Sequence, residues 1–209
     1  MTSVPAATRH RSDTTDAWAH APRGRSHRKE RSRPARTGEA YRVGIACSSV
    51  GVTLTSVAVL LGDLLTADRI KVPLESRDKL SVMRELVELL VRSTGGEAGD
   101  VLRAVRERED CLSTGFGFGV AVPHGRTPAL KELALVAGRS GEPIDFGSVD
   151  GLPVRLFFLV AGPESAAGEQ VRALARIARL VRRDYLRERL LKAPSADEFA
   201  QIVREAEAH

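Results

Sequence analysis

Two apolar runs of strand length, Leu133–Ala137 and Val154–Val160, lie between segments with helical periodicity, and this alternation limits the fold more than any other feature. Before them, Leu80, Met83, Val87, Leu90 and Val91 recur at helical spacing after Ser76, a residue suited to capping, and Gly95-Gly96 closes that helix. A second helix carries Val101, Leu102 and Val105 and ends near Arg108. After the runs, residues 170–183 form an amphipathic helix, with Val171, Leu174, Ile177 and Val181 as its buried stripe. Arg172, Arg176, Arg179 and Arg183 form the opposite stripe, read either as an ordinary solvated face or as a docking surface for an acidic partner. A helix over residues 185–192 follows, then one opened by a capping box, Ser195 and Glu198, that buries Phe199, Ile202 and Val203. Shorter pieces are a helix at 59–65, a strand at 70–72 and a helical turn started by Thr127-Pro128. Strands alternating with helices predict a layered α/β domain.

The segment Gly115-Phe116-Gly117-Phe118-Gly119-Val120-Ala121-Val122-Pro123-His124-Gly125-Arg126 reads as a glycine-rich approach, a short buried strand and a histidine at its end. Proline has no N–H for a ladder, so the strand is expected to stop at Pro123. Of the five histidines, His10, His20 and His27 lie in a polar leader and His209 is the last residue, which leaves His124 alone in the folded body. Gly125 is expected to let another molecule's backbone or a phosphate approach His124. Arg126 is read either as a phosphate-binding cation or as a loop charge in solvent.

Other chemistries fit poorly. Gly115-x-Gly117-x-Gly119 has the wrong spacing for a dinucleotide fingerprint, and a strand rather than a helix follows it. Gly138-Arg139-Ser140-Gly141 is not a nucleophile elbow. One body histidine and two distant cysteines, Cys47 and Cys111, do not make a metal site or a disulfide framework, so no metal and no cofactor are expected. What remains is nucleophilic catalysis by an imidazole, whose ring is largely neutral near pH 7.

Residues 113–126 resemble the signature of the enzyme IIA domain, type 2 (fructose, mannitol and nitrogen-regulatory class), of the bacterial phosphotransferase system. The resemblance extends over about residues 59–207. It includes Arg108-Glu109 upstream, Pro143-Ile144-Asp145-Phe146, Asp150-Gly151-Leu152-Pro153-Val154, and the last long helices in order. It implies a three-layer α/β/α domain with a mixed β-sheet flanked by helices. It also implies that His124 is phosphorylated and favours Arg108 over Arg126 as the residue that reaches the phosphate, with Gly125 and Arg126 kept as phosphate-binding candidates on their own chemistry. Many members carry a polar residue where this chain has Phe118, and a second histidine where it has Gln170. Gln170 can orient a ring by hydrogen bonding but cannot supply a proton.

The implied function is a cytoplasmic phosphocarrier, a phosphotransferase that accepts a phosphoryl group from the phosphohistidine carrier protein and passes it to an enzyme IIB cysteine for sugar uptake. The alternatives are a nitrogen-type regulator, whose His124 phosphorylation state controls protein partners, and a catalytically weak interaction domain.

The organisation is a basic leader over 1–42, an uncharged linker or extra strand over 43–58, and the IIA-like domain over 59–207. Residues 1–40 hold nine of the 32 Lys and Arg and four of the 27 Asp and Glu, leaving 23 of each beyond residue 40. The body is formally neutral and the excess of +5 belongs to the leader. With almost no large apolar residues, the leader is expected to be disordered. It reads as a solvated tail, as a segment upstream of a true start near Val57, or as a tether to nucleic acid or an anionic surface. No nucleic-acid contact is expected elsewhere. Residues 43–61 lack charge but carry Ser48, Ser49, Thr53, Thr55 and Ser56, and no membrane span is expected.

Overall fold

The computed structural model describes residues 60–208. The readings made for the leader, the uncharged stretch and Cys47 lie outside those residues. No helix among the described residues is long and apolar enough to cross a membrane.

A mixed six-stranded sheet forms the middle layer. Its central strand is β6 (Val154–Gly162), buried at every position but Arg155. On one side β5 (Ala134–Ile144) pairs with β6 antiparallel, as a short connection between neighbours requires. Beyond it β1 (Ile70–Leu74) runs parallel to β5. On the other side β3 (Val120–Ala121) and β4 (His124–Arg126) both lie parallel to β6, and β2 (Gly115–Gly117) pairs antiparallel with β3.

Strand alternation explains the adjacent phenylalanines. Leu156, Phe158 and Val160 enter one apolar core, whereas Phe157, Leu159 and Ala161 enter the other. The first core is covered by α1 (Leu61–Leu64), α4 (Ala167–Val181), α5 (Asp184–Lys192) and α6 (Ala196–Glu207). The second is covered by α2 (Lys79–Thr94) and α3 (Ala98–Cys111). The expected three layers are present, and a strand buried on both faces reads as a continuous apolar run.

Local chemistry moves several boundaries. The cap of α2 is Asp78, which accepts from the Ser81 N–H at 3.0 Å, while the Ser76 N–H is taken by Glu85 at 2.9 Å. The buried face of α2 is therefore Val82, Met83, Leu86, Val87 and Leu90, and Leu80 is exposed. Gly95, at φ +75°, ends the helix with its N–H on the Val91 carbonyl. Strand β5 continues past Ala137, where the apolar run ends, to Ile144. Thr127 accepts from the Ala129 N–H at 3.2 Å, which makes a turn without a helix. Ser195 caps α6 as expected, accepting from the Glu198 N–H at 3.2 Å.

Candidate active site

The strand carrying His124 is interrupted at Pro123 and then resumes, where the sequence reading expected it to stop. Val120 and Ala121 pair with Leu156 and Phe157, and His124 to Arg126 pair with Val160 to Gly162 along the same side of β6. Pro123 lacks a donor, but its carbonyl accepts from the Val160 N–H at 3.0 Å, so the lane is kept. The Val122 N–H turns the other way, to the Thr114 carbonyl at 2.9 Å. Val120 and Val122 belong to the core beneath α4, so alternation puts His124 and Arg126 on that face and Gly125 on the face of α3.

The half-buried His124 ring is fixed by one nitrogen. Its Nδ1 lies 2.8 Å from the Val122 carbonyl oxygen. A carbonyl only accepts, so Nδ1 carries the hydrogen. Burial pushes the ring's pKa below the usual histidine value. The Val122 bond opposes this, the Arg108 cation adds to it, Glu109 opposes it and Arg126 adds to it. A neutral ring protonated at Nδ1 has its lone pair on Nε2. Two cavities meet at this residue. One, of 420 Å³, is lined by Arg108, Thr114, Phe116, Val122, His124 and Leu174 among others. The other, of 440 Å³, is lined by Arg108, His124, Arg126, Gln170 and Val171 among others.

The last turn of α3 divides two neighbouring charges. Arg108 lines both cavities and donates from Nη1 to the Leu112 carbonyl at 2.9 Å. Glu109 turns inward and is buried. Its Oε2 accepts from the Thr114 N–H at 2.8 Å and from the Thr114 hydroxyl, and its Oε1 meets Lys79 Nζ at 2.6 Å. Burial raises the pKa of this carboxyl, but the Lys79 and Thr114 bonds outweigh it and hold the group below the usual carboxylate range. Glu109 is thus a charged anchor for the segment leading into β2. In the sequence Glu109 stands out only as half of the Arg108-Glu109 family landmark.

Gly125 lines the second cavity with His124 and has a packing reason of its own to lack a side chain. A Cβ there would lie 2.8 Å from the Val105 nitrogen and 2.9 Å from the Ala104 carbonyl carbon. The space left by the missing side chain is filled by the backbone of α3, which brings Arg108, one turn further on, alongside His124.

Gln170 does not hold the His124 ring. It is 3 % exposed, donates from Nε2 to the Gly125 carbonyl at 3.0 Å, and accepts at Oε1 from Arg126 Nε at 2.8 Å. Arg126 also donates from Nη1 to Glu164 at 2.8 Å. It is therefore held at two points beside the histidine rather than loose in solvent.

The buried stripe of α4 is Gln170, Ala173, Ile177, Leu180 and Val181. Val171 is 58 % exposed, Leu174 is half-buried at the edge of the first core, and both line the histidine's cavities. Of the basic stripe, Arg176 pairs with Glu207 at 3.2 Å and Arg183 donates to the Ala206 carbonyl at 3.3 Å. Phe118 is the one described non-glycine residue with positive φ, at 58°, between Gly117 and Gly119, which also have positive φ. Its N–H donates to Asp150 at 2.8 Å. Its exposed ring lies 6.3 Å from that of Phe116 and 4.9 Å from the Arg187 guanidinium carbon.

A three-layer α/β domain that presents a neutral, one-sidedly anchored histidine beside arginines has the parts of a histidine phosphoacceptor. The chain belongs to the family described as "Phosphoenolpyruvate-dependent sugar phosphotransferase system, EIIA 2", whose model matches residues 63–206. It is 36% identical over 146 residues to the fructose-specific EIIABC component of Bacillus subtilis, covering 68% of this chain and 23% of that protein. It is 35% identical over 141 residues to a nitrogen regulatory protein of Bradyrhizobium diazoefficiens, covering 68% of this chain and 92% of that one. The crystal structure of the nitrogen regulatory protein IIA-Ntr from Neisseria meningitidis superposes with a TM-score of 0.65 at 34% identity, over 68% of this chain and 98% of that one. Sugar-transport and nitrogen-regulatory proteins thus both occur among its relatives.

Proposed function

We propose that this protein is a phosphocarrier in which His124 Nε2 accepts a phosphoryl group from the phosphohistidine carrier protein and passes it to a cysteine of an enzyme IIB domain. The observation that carries this reading is the fixed Nδ1–H···O bond to Val122, which directs the Nε2 lone pair away from the backbone, with Arg108 lining the same cavity. In the first transfer Nε2 donates its pair to phosphorus. The donor's P–N bond breaks, and that electron pair returns to the donor imidazole. In the second, a thiolate sulfur attacks phosphorus and the pair of the P–N bond returns to Nε2. Phosphoryl transfer of this kind needs positioning and charge stabilisation more than acid–base chemistry. Arg108 supplies a cation at the site, and the lowered ring pKa keeps Nε2 unprotonated at neutral pH. The test is to mix the protein with phosphoenolpyruvate, enzyme I and the carrier protein, with His124→Ala alongside. Acid-labile, alkali-stable phosphate on the wild type alone supports the reading, and a folded wild type that stays unlabelled while a control carrier is labelled refutes it.

A regulatory role is the second reading. It is supported by the likeness to two nitrogen regulatory proteins, at 35% and 34% identity. Here the phosphorylation state of His124 controls binding to other proteins. Transfer to a IIB cysteine distinguishes transport from regulation.

A further inference from the structure

Arg126 is the best-placed second cation at the site, and its contacts have an asymmetry that suggests movement. Its Nε bond goes to a buried amide, that of Gln170. That amide cannot turn over: Nε2 faces the Gly125 carbonyl at 3.0 Å and the Val160 carbonyl at 3.5 Å, and a flip would set Oε1 against two acceptors. Oε1 must therefore face Arg126. The Nη1 bond, by contrast, goes to Glu164, whose side chain is 76 % exposed. A pair as exposed as this is weak and easily exchanged. The remaining terminal nitrogen, Nη2, has no partner among the described residues. His124 and Arg126 lie two residues apart on the same face of β4 and line one cavity.

We propose that Gln170 and Glu164 make Arg126 an exchangeable cation: Gln170 fixes Nε, and Glu164 occupies Nη1 until a phosphoryl group on His124 displaces it. Gln170 is then a positioning residue, and Glu164 stands in for the phosphate in the resting protein. This rests on His124 being a phosphoacceptor, but not on which protein supplies the phosphate.

The full chain is phosphorylated with phosphoramidate, a small donor that bypasses any carrier protein, and the phosphoryl group is titrated by phosphorus NMR. A nearby cation favours the dianion and lowers its pKa. Arg126→Gln is expected to raise the phosphoryl pKa, and Gln170→Ala to raise it by less. Glu164→Gln is expected to lower it, corresponding to at most about a fivefold gain in dianion affinity for Arg126, the upper end for displacing an exposed pair. In the Arg126→Gln background the Glu164→Gln effect is expected to vanish. An equal Glu164→Gln shift in both backgrounds would mean that Glu164 acts through its charge alone, and the exchange would be overturned. No change in the phosphoryl pKa of Arg126→Gln would overturn it too. Labelling by phosphoramidate but not by the carrier protein refutes the phosphocarrier reading and leaves this one standing.

Discussion

Gly125 lies directly beneath the backbone of Val105, and a Cβ on residue 125 would come within 2.8 Å of the Val105 nitrogen. The histidine strand and the arginine helix therefore meet backbone to backbone, with no side chain between them. The atoms in the way belong to a helix, so they cannot rotate aside. Gly125→Ala is expected to push α3 outward, lowering stability by about 1–3 kcal/mol in urea melts and slowing His124 phosphorylation through displacement of Arg108. A variant with unchanged stability and rate would show that α3 is free to shift.

Glu109 is predicted to hold the approach to the site through Thr114 rather than through the histidine. Glu109→Ala strands a buried Thr114 N–H and removes the partner of Lys79, at a cost of about 3 kcal/mol. Because this carboxyl's folded pKa is depressed, its contribution is present above its ordinary value of 4.5 and is lost as pH falls through the lower folded value. Urea midpoints of Glu109→Gln are expected to fall less than those of the wild type between pH 5 and pH 3, as approximate bounds. Equal acid sensitivity in the two proteins would mean that the ion pair contributes nothing.

His124 titrates in the same sense, nearer neutral pH. Its folded pKa lies below 6.5, so the unfolded chain binds more protons between the two values, and stability rises with pH there. Acidification below about 6.5 is expected to destabilise the wild type more than His124→Gln. In an NMR titration the ring midpoint should lie below 6.5, and Arg108→Gln should move it upward, because a cation that lowers it has gone. A midpoint at or above 6.5 would contradict the effect assigned to burial and Arg108.

Phe118 sets two effects of similar size against each other. A left-handed backbone costs a non-glycine residue about 1–2 kcal/mol. The tilted contact with Phe116 and the Arg187 cation over the ring return about 1–2.5 kcal/mol together. Asparagine tolerates that backbone but makes neither contact, so Phe118→Asn is expected to change stability by less than about 1 kcal/mol in thermal melts. A loss beyond twice that would show that the ring is a structural anchor.

The contrast between Val154–Val160 and His124–Arg126 shows what the sequence disclosed. A buried central strand leaves a continuous apolar run, and the cap at Ser195 leaves a local signature, so both were readable. A three-residue strand restarted after a proline has too few residues for a period, and its pairing with Val160–Gly162 depends on a partner some 36 positions away. The reason for Gly125 was equally hidden, since the atoms that exclude a side chain belong to another helix. Val171 fitted a helical stripe, but periodicity does not say that one flank of an apolar face borders a cavity instead of the core. His124 stood out as the sole body histidine, and its role came from family resemblance. The contacts of Gln170 with Gly125 and Arg126 could be read only from the structure.

The most direct test of the account is nitrogen-edited NMR of the phosphorylated full chain, which identifies the ring nitrogen that bears phosphorus. The account predicts phosphate on His124 Nε2 with the Nδ1 hydrogen still on the Val122 carbonyl. Phosphate on Nδ1, or on any residue other than His124, would contradict it.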